Sequence, residues 1–176
     1  MNIEELKVKA ENIVENIKDK GIYLKENTFI DYKLELKLSP NVSNVLIFLR
    51  NFAKDILAFA NKDGGLLLLG FNENKETGEI TDIGLKEDDI NILRAIDLKD
   101  LSDQFVKMFD AQIVVDIHAF NIAARKFYYI LIEKHNSILI PKNDFLDYGL
   151  KKGDIIYRSA GNNLKANERT SEFNTF

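Results

Sequence analysis

Leu66-Leu67-Leu68-Leu69-Gly70-Phe71 is a nearly unbroken apolar run, preceded by Gly64-Gly65 and followed by the polar, turn-forming stretch 72–78. A run this short, with no polar residue on alternate positions, fits a strand covered on both faces. Such a strand requires sheet neighbours at its sides and other elements above and below it. The expected class is therefore α/β (α+β), a mixed β-sheet flanked by helices.

The flanking segments supply those elements. Ile3, Leu6, Ala10, Ile13, Val14 and Ile17 recur at spacings of three and four, an amphipathic helix over residues 3–18 with Gly21 just past its end. Residues 30–38 alternate, with Ile30, Tyr32, Leu34, Leu36 and Leu38 on one face and Asp31, Lys33, Glu35 and Lys37 on the other, which predicts a half-buried strand stopped by Ser39-Pro40. A second helix carries a broad apolar stripe from Val45 to Ala60, with Arg50, Lys54 and Asp55 expected outside it. Further on, the pattern predicts helix within 87–109, strands near 112–120 and 126–133, and a last short strand at 155–158. One domain over residues 1–165 is expected, its N-terminal helix within 1–20, followed by a polar, mobile tail at 166–176.

Composition narrows the chemistry. With 45% hydrophobic and 30% charged residues the chain has a globular balance, and 176 residues can bury a core without staples. The absence of cysteine excludes disulfides, thiolate metal sites and cysteine nucleophiles, and two histidines cannot form a three-histidine metal site. The N-terminus is acidic and amphipathic rather than leader-like, and the apolar runs are too short to span a bilayer, so a soluble, cytoplasmic protein is expected, with no membrane partner. The net charge of −4 argues against non-specific coating of nucleic acid. From Ala124 onward, however, nine Lys/Arg face six Asp/Glu, so phosphates can still be held locally.

The reactive candidates are carboxylates. Asp31 and Lys33 share the polar face of the first strand, Glu73 lies just beyond the buried strand, and Glu26 precedes the first strand. Three convergent carboxylates make an oxygen-donor site suited to Mg²⁺ or Mn²⁺, with Lys33 as a phosphate contact. Glu26 and Asp31 are separated by an odd number of residues, so they converge only if the chain bends between them. Gly65–Gly70 has P-loop spacing, but Phe71-Asn72 replaces the required Lys-Ser/Thr, which excludes Walker-type ATP hydrolysis. Gly64-Gly65 reads either as a tight helix-to-strand turn or as a backbone bend that admits a phosphate.

Residues 26–33 (Glu-Asn-Thr-Phe-Ile-Asp-Tyr-Lys), residues 58–65 (Ala-Phe-Ala-Asn-Lys-Asp-Gly-Gly) and residues 66–73, ending in Gly70-Phe71-Asn72-Glu73, together resemble the AlbA-like domain of the Schlafen family. Residues 154–161, with Tyr157-Arg158 before Ser159-Ala160-Gly161, resemble that family's closing strand. The resemblance spans about 22–165. It implies a nucleic-acid-directed domain, and nuclease members cut structured RNA such as tRNA with three carboxylates and a divalent metal. By position those acids fall on Glu26, Asp31 and Glu73, with Asp31 where Glu is usual and Glu73 where Asp is usual. Asn61, Gly64 and Gly65 fall on the structural turn. Because nuclease members present two such lobes and this chain has one copy, a homodimer supplying the second lobe is expected. Stress response or phage defence is the implied setting.

The leading expectation is a metal-dependent endoribonuclease, with phosphate contacts from Lys33, Arg158, Lys151 and Lys152. The attacking group, water or an RNA 2′-hydroxyl, is left open. Two alternatives are a non-catalytic nucleic-acid or nucleotide-binding module and a regulatory protein-interaction domain. His118, beside Asp116 on a strand face, reads as a general base or a half-exposed strand residue, and His135 as a turn residue. Phe127, Tyr128 and Tyr129 read as core rather than base-stacking residues.

Overall fold

A computed structural model describes residues 1–166. The apolar run forms β2 (Gly65–Leu69), every residue of which is buried. It pairs in parallel with β1 (Ile30–Lys33) and antiparallel with β6 (Arg125–Ile132), which pairs antiparallel with β5 (Val115–Ile122). The sheet is therefore mixed, in the order β1-β2-β6-β5. A parallel pair needs a crossover, and α2 (Asn44–Ala60) between β1 and β2 supplies it.

Strand parity sorts the core into two layers. On one face, Ile30, Tyr32, Leu66, Leu68, Phe127, Tyr129 and Leu131 meet the apolar stripe of α1 (Ile3–Lys20). On the other, Leu67, Leu69, Tyr128, Ile130 and Ile132 join α2, α3 (Glu87–Arg94) and α4 (Leu98–Phe109). α1 starts at a capping box between Asn2 and Glu5 and stops at Gly21 in the left-handed region. Phe127, Tyr128 and Tyr129 are buried, as core residues should be. Among the described residues no helix is long and apolar enough to cross a membrane.

Four features depart from the sequence reading. The alternation over 30–38 yields a strand of four residues only, leaving Leu34 and Leu38 exposed. Its partner ends at Leu69, after which Gly70 donates its N–H to the Lys33 carbonyl and leads the chain into β3 (Phe71–Glu73), which pairs with β4 (Ile80–Asp82). Asp31 and Asp55 are buried rather than solvated, because the polar face of β1 turns toward α2. The helical region 87–109 is broken at 95–97, where Asp97 caps α4 through the N–H groups of Lys99 and Asp100. Finally, the strand near 155–158 is not the last: β7 (Ile156–Ser159) and β8 (Asn162–Lys165) form a hairpin. Residues 167–176 of the expected tail lie outside the described residues.

The turn into β2 is structural. Asn61 donates from Nδ2 to the carbonyls of Leu139 and Ile156 and accepts from the Leu139 N–H, tying the end of α2 to β7. Gly64 has φ +77°, and a Cβ there would lie 2.7 Å from the Ile132 carbonyl oxygen. A Cβ at Gly65 would overlap the Phe59 ring and come within 2.7 Å of the Phe29 carbonyl oxygen. Gly65→Ala is therefore expected to destabilise the fold by about 1–3 kcal/mol, the range for overpacking. Urea unfolding measures this, and a loss below about 0.5 kcal/mol, the size of an ordinary surface change, would contradict the close packing of this turn.

Candidate acidic site

Among the described residues β1 is an edge strand, and its outer backbone groups organise the site. Toward β2, the Phe29 and Lys33 carbonyls accept from Leu66 and Gly70. On the open side, the Ile30 carbonyl accepts from the Asn27 N–H, while Asn27 Oδ1 accepts from the N–H groups of Phe29 (2.7 Å) and Ile30 (2.9 Å). This Asn-centred turn is the bend that the odd spacing required. It folds Glu26 back along β1, where Oε1 accepts from the Tyr32 N–H at 3.2 Å and the carboxyl hydrogen-bonds Asp31.

Beneath Glu26 lies a charge-balanced set of two acids and two bases. Lys33 Nζ stands 3.3 Å from Asp31 and 3.5 Å from Asp55. Arg158 Nη1 stands 3.6 Å from Asp31 and donates to Asn163 Oδ1, and Asn163 Nδ2 donates to Asp55 Oδ1 at 2.8 Å. The same guanidinium donates to the Asn27 and Ile30 carbonyls and lies over the Phe59 ring. With 2% exposure, Arg158 is a buried clamp on the Asn27 turn and on Asp31, not a surface grip for phosphate. Lys33 is half-exposed, with its ammonium committed to the two aspartates. Burial works against that charge, but Asp55 and Asp31 outweigh it and raise its pKa. Burial pushes Asp55 up despite Lys33.

Above this set, Glu26 and Glu73 line an open cleft of about 290 Å³ with Lys25, Lys75 and the Ala160-Gly161 turn. Lys75 Nζ lies 2.9 Å from Glu73 Oε1 and 3.4 Å from Glu26 Oε2, so the two carboxylates already share one cation. The side chain of Lys75 is 75% exposed, against 12% and 13% for the glutamates, so it can swing out while they stay in place. Burial, reinforced by the Asp31 hydrogen bond, raises Glu26 from 4.5 to about 7. Asp31 is lowered overall: burial alone would raise it, but the Glu26 hydrogen bond, Lys33 and Arg158 prevail. The pair thus shares one proton near neutrality, on Glu26.

The structure therefore brings Glu26, Asp31 and Glu73 into one neighbourhood, with Glu26 touching Asp31 and Glu73 facing Glu26 across Lys75. Among the described residues no three acidic or histidine side chains converge as a preformed metal cage. The donor set fits a single cation between Glu26 and Glu73, with Asp31 behind. Lys151 and Lys152 are exposed, and their backbone N–H groups donate to Asp154 and Asp144. Among the described residues no contact joins either lysine to the cleft. His118 pairs with Asp116 at 2.8 Å on β5, at the opposite edge of the sheet, and His135 bonds within its own turn through Ser137. Asp55, Lys75 and Asn163 were missed by the sequence reading. An acid between Ala53 and Ile56 inside an apolar stripe was the one available signal, for Asp55.

The sequence profile of the family described as Schlafen, AlbA_2 matches residues 26–167. No curated protein matches the chain. Among solved structures, the DIP2311 protein from Corynebacterium diphtheriae is similar, with TM-score 0.53 and 20% identity over 92% of this chain and 30% of that one. The N-terminal domain of a RecG-related protein from Nitrosomonas europaea has TM-score 0.46 and 18% identity, over 81% of this chain and 86% of that one. The DIP2311 likeness shows the fold alone, and this chain spans less than a third of that protein.

The raised Glu26 value has a definite sign in stability. Its protonated form is favoured by the fold, so its contribution is complete below pH 4.5, the ordinary glutamate value, and is lost as pH rises through about 7. Between those limits the wild type is expected to lose stability relative to Glu26→Gln, measured by denaturant unfolding at stepped pH. Parallel curves for the two proteins would contradict the shared proton.

Proposed function

The chain belongs to the Schlafen family, in its AlbA_2 group, and from that premise we propose that it is a nucleic-acid-directed domain whose acidic cleft cleaves structured RNA, tRNA first, as a Mg²⁺- or Mn²⁺-dependent endoribonuclease. The observation that carries this reading is the cation shared by Glu26 and Glu73 through Lys75, directly above Asp31. Oxygen donors of this kind suit hard divalent ions.

In this reading Glu26 and Glu73 hold the ion, with Asp31 as the third acid. Bound there, the ion supplies Lewis-acid stabilisation of a phosphoryl oxygen and lowers the pKa of the attacking group. The remaining work falls to the chain itself. Lys33 and Arg158 fix the Asp31 carboxylate, Asp31 and the Tyr32 N–H orient Glu26, and Lys75, once released, joins Lys25 at the rim to hold an RNA phosphate. Glu26 must give up its proton to serve as a ligand, so cation binding strengthens as pH rises through about 7.

A second reading, a non-catalytic nucleic-acid- or nucleotide-binding module, is favoured by one observation: Asp31 is already neutralised by Lys33 and Arg158. Incubation of total tRNA with Mn²⁺, then with chelator, separates the two readings. The endoribonuclease reading predicts discrete fragments from the wild type, lost with chelator and reduced at least 100-fold in Glu73→Gln, on the scale of losing a group that stabilises transition-state charge. Salt-sensitive tRNA binding without fragments would establish the binding module instead.

A further inference from the structure

The far edge of the sheet, remote from the acidic cleft, has a character of its own. β5 is eight residues long and, among the described residues, has β6 on one side only. Its hydrogen-bond parity follows from its neighbours. Ile122 and Arg125 close the two-residue turn, and Glu133 donates its N–H to the Val114 carbonyl, so even-numbered residues pair with β6. The backbone groups of Val115, Ile117, Ala119 and Asn121 therefore point away from the sheet. Among the described residues their N–H groups have one partner, Asp116 Oδ1 on the Ile117 N–H at 3.0 Å. A long open edge of this kind is a template for another strand.

We propose that this edge is a homodimer interface, in which β5 of a second copy pairs antiparallel with β5 across a two-fold axis at Ile117. The side chains select that partner and that register. Pairing centred on Ile117 sets Asp116 opposite His118 of the other copy, twice by symmetry, at the non-hydrogen-bonded positions where side chains lie closest. A register centred on His118 would oppose the two histidines and set Asp116 against Phe120. One centred on Ala119 would set Asp116 against Ile122. Within one chain Asp116 already holds His118 at 2.8 Å, so the same pair of groups is available for exchange. On the opposite face of the edge from Asp116 and His118, Leu93, Arg94, Leu98, Ile117, Ala119 and Tyr128 line a cleft of about 330 Å³ with Leu98 43% exposed, while Val114, 47% exposed, shares the face of Asp116. Apolar surface next to a self-complementary polar pair is what an isologous contact covers.

The arrangement makes one eight-stranded sheet with β1 at both ends. Seven strand spacings separate the outer strands, so the two acidic clefts lie roughly 30–35 Å apart. The second copy then adds a distant second site rather than a wall over the first.

Light scattering after gel filtration tests this on the whole chain loaded at roughly 100 µM, enough to fill a micromolar dimer. The wild type is expected at twice the chain mass. His118→Asp sets like charges opposite each other and is expected to raise the dimer dissociation constant about tenfold. The exchanged variant Asp116→His/His118→Asp is expected to restore the dimer, because the register is symmetric. Circular dichroism establishes that each variant is folded. A wild-type monomer would overturn the proposal, and so would a dimer indifferent to His118→Asp or an exchange that fails to restore association while remaining folded. None of these readouts depends on RNA cleavage, so the interface and the activity stand or fall separately.

Discussion

Asp31 is the position on which the rest of the site depends. It is a carboxylate buried at the edge of a sheet, where an unpaired charge would not be tolerated. Lys33 from its own strand and Arg158 from β7 neutralise it, and Lys33 is shared with Asp55 of α2. Four charges from three elements thus fix β1, α2 and the β7–β8 hairpin relative to one another. Such a set is poor evidence for net stability, since desolvation offsets much of the attraction, but removing one member leaves a buried charge uncompensated. Its effect is therefore on geometry.

That geometry determines what the outer carboxylates can do. The guanidinium that neutralises Asp31 also binds the Asn27 and Ile30 carbonyls, and so holds the turn that returns Glu26 to the strand. Once there, Glu26 meets a carboxylate already in its charged form, and the pair keeps a proton near neutrality. Glu73, arriving from the strand that follows β2, faces Glu26 across Lys75. The site is thus layered, with a neutralised acid in the floor, a proton-sharing acid above it and the Lys75 ammonium at the mouth.

The sequence made legible whatever depends on local pattern. The apolar run of β2, the stripes of α1 and α2 and the Asn61–Gly65 turn follow from periodicity and backbone freedom. So did the placing of Glu26, Asp31 and Glu73 together, because the resemblance located them and the Asn27 turn supplied the bend. What could not be read depends on tertiary contact. Alternation over 30–38 is blind to where a partner strand ends, so β1 stops at Lys33. Asp55 reads as solvated on a helical wheel, and only its meeting with Lys33 and Asn163 makes burial tolerable. Arg158 was expected to hold phosphate from the resemblance of residues 154–161 to the family's closing strand, whereas here it is turned inward onto β1.

In the proposed divalent-cation site at the mouth of this cleft, the ion would replace the Lys75 ammonium between Glu26 and Glu73. Paramagnetic broadening by substoichiometric Mn²⁺ in the NMR spectrum of the whole protein tests it most directly. Selective loss of signals is expected from the residues around Glu26, Glu73, Lys75 and the Ala160-Gly161 turn, with β5 unaffected at the far edge of the sheet. Broadening spread over the acidic surface at large, or centred away from these residues, would contradict it.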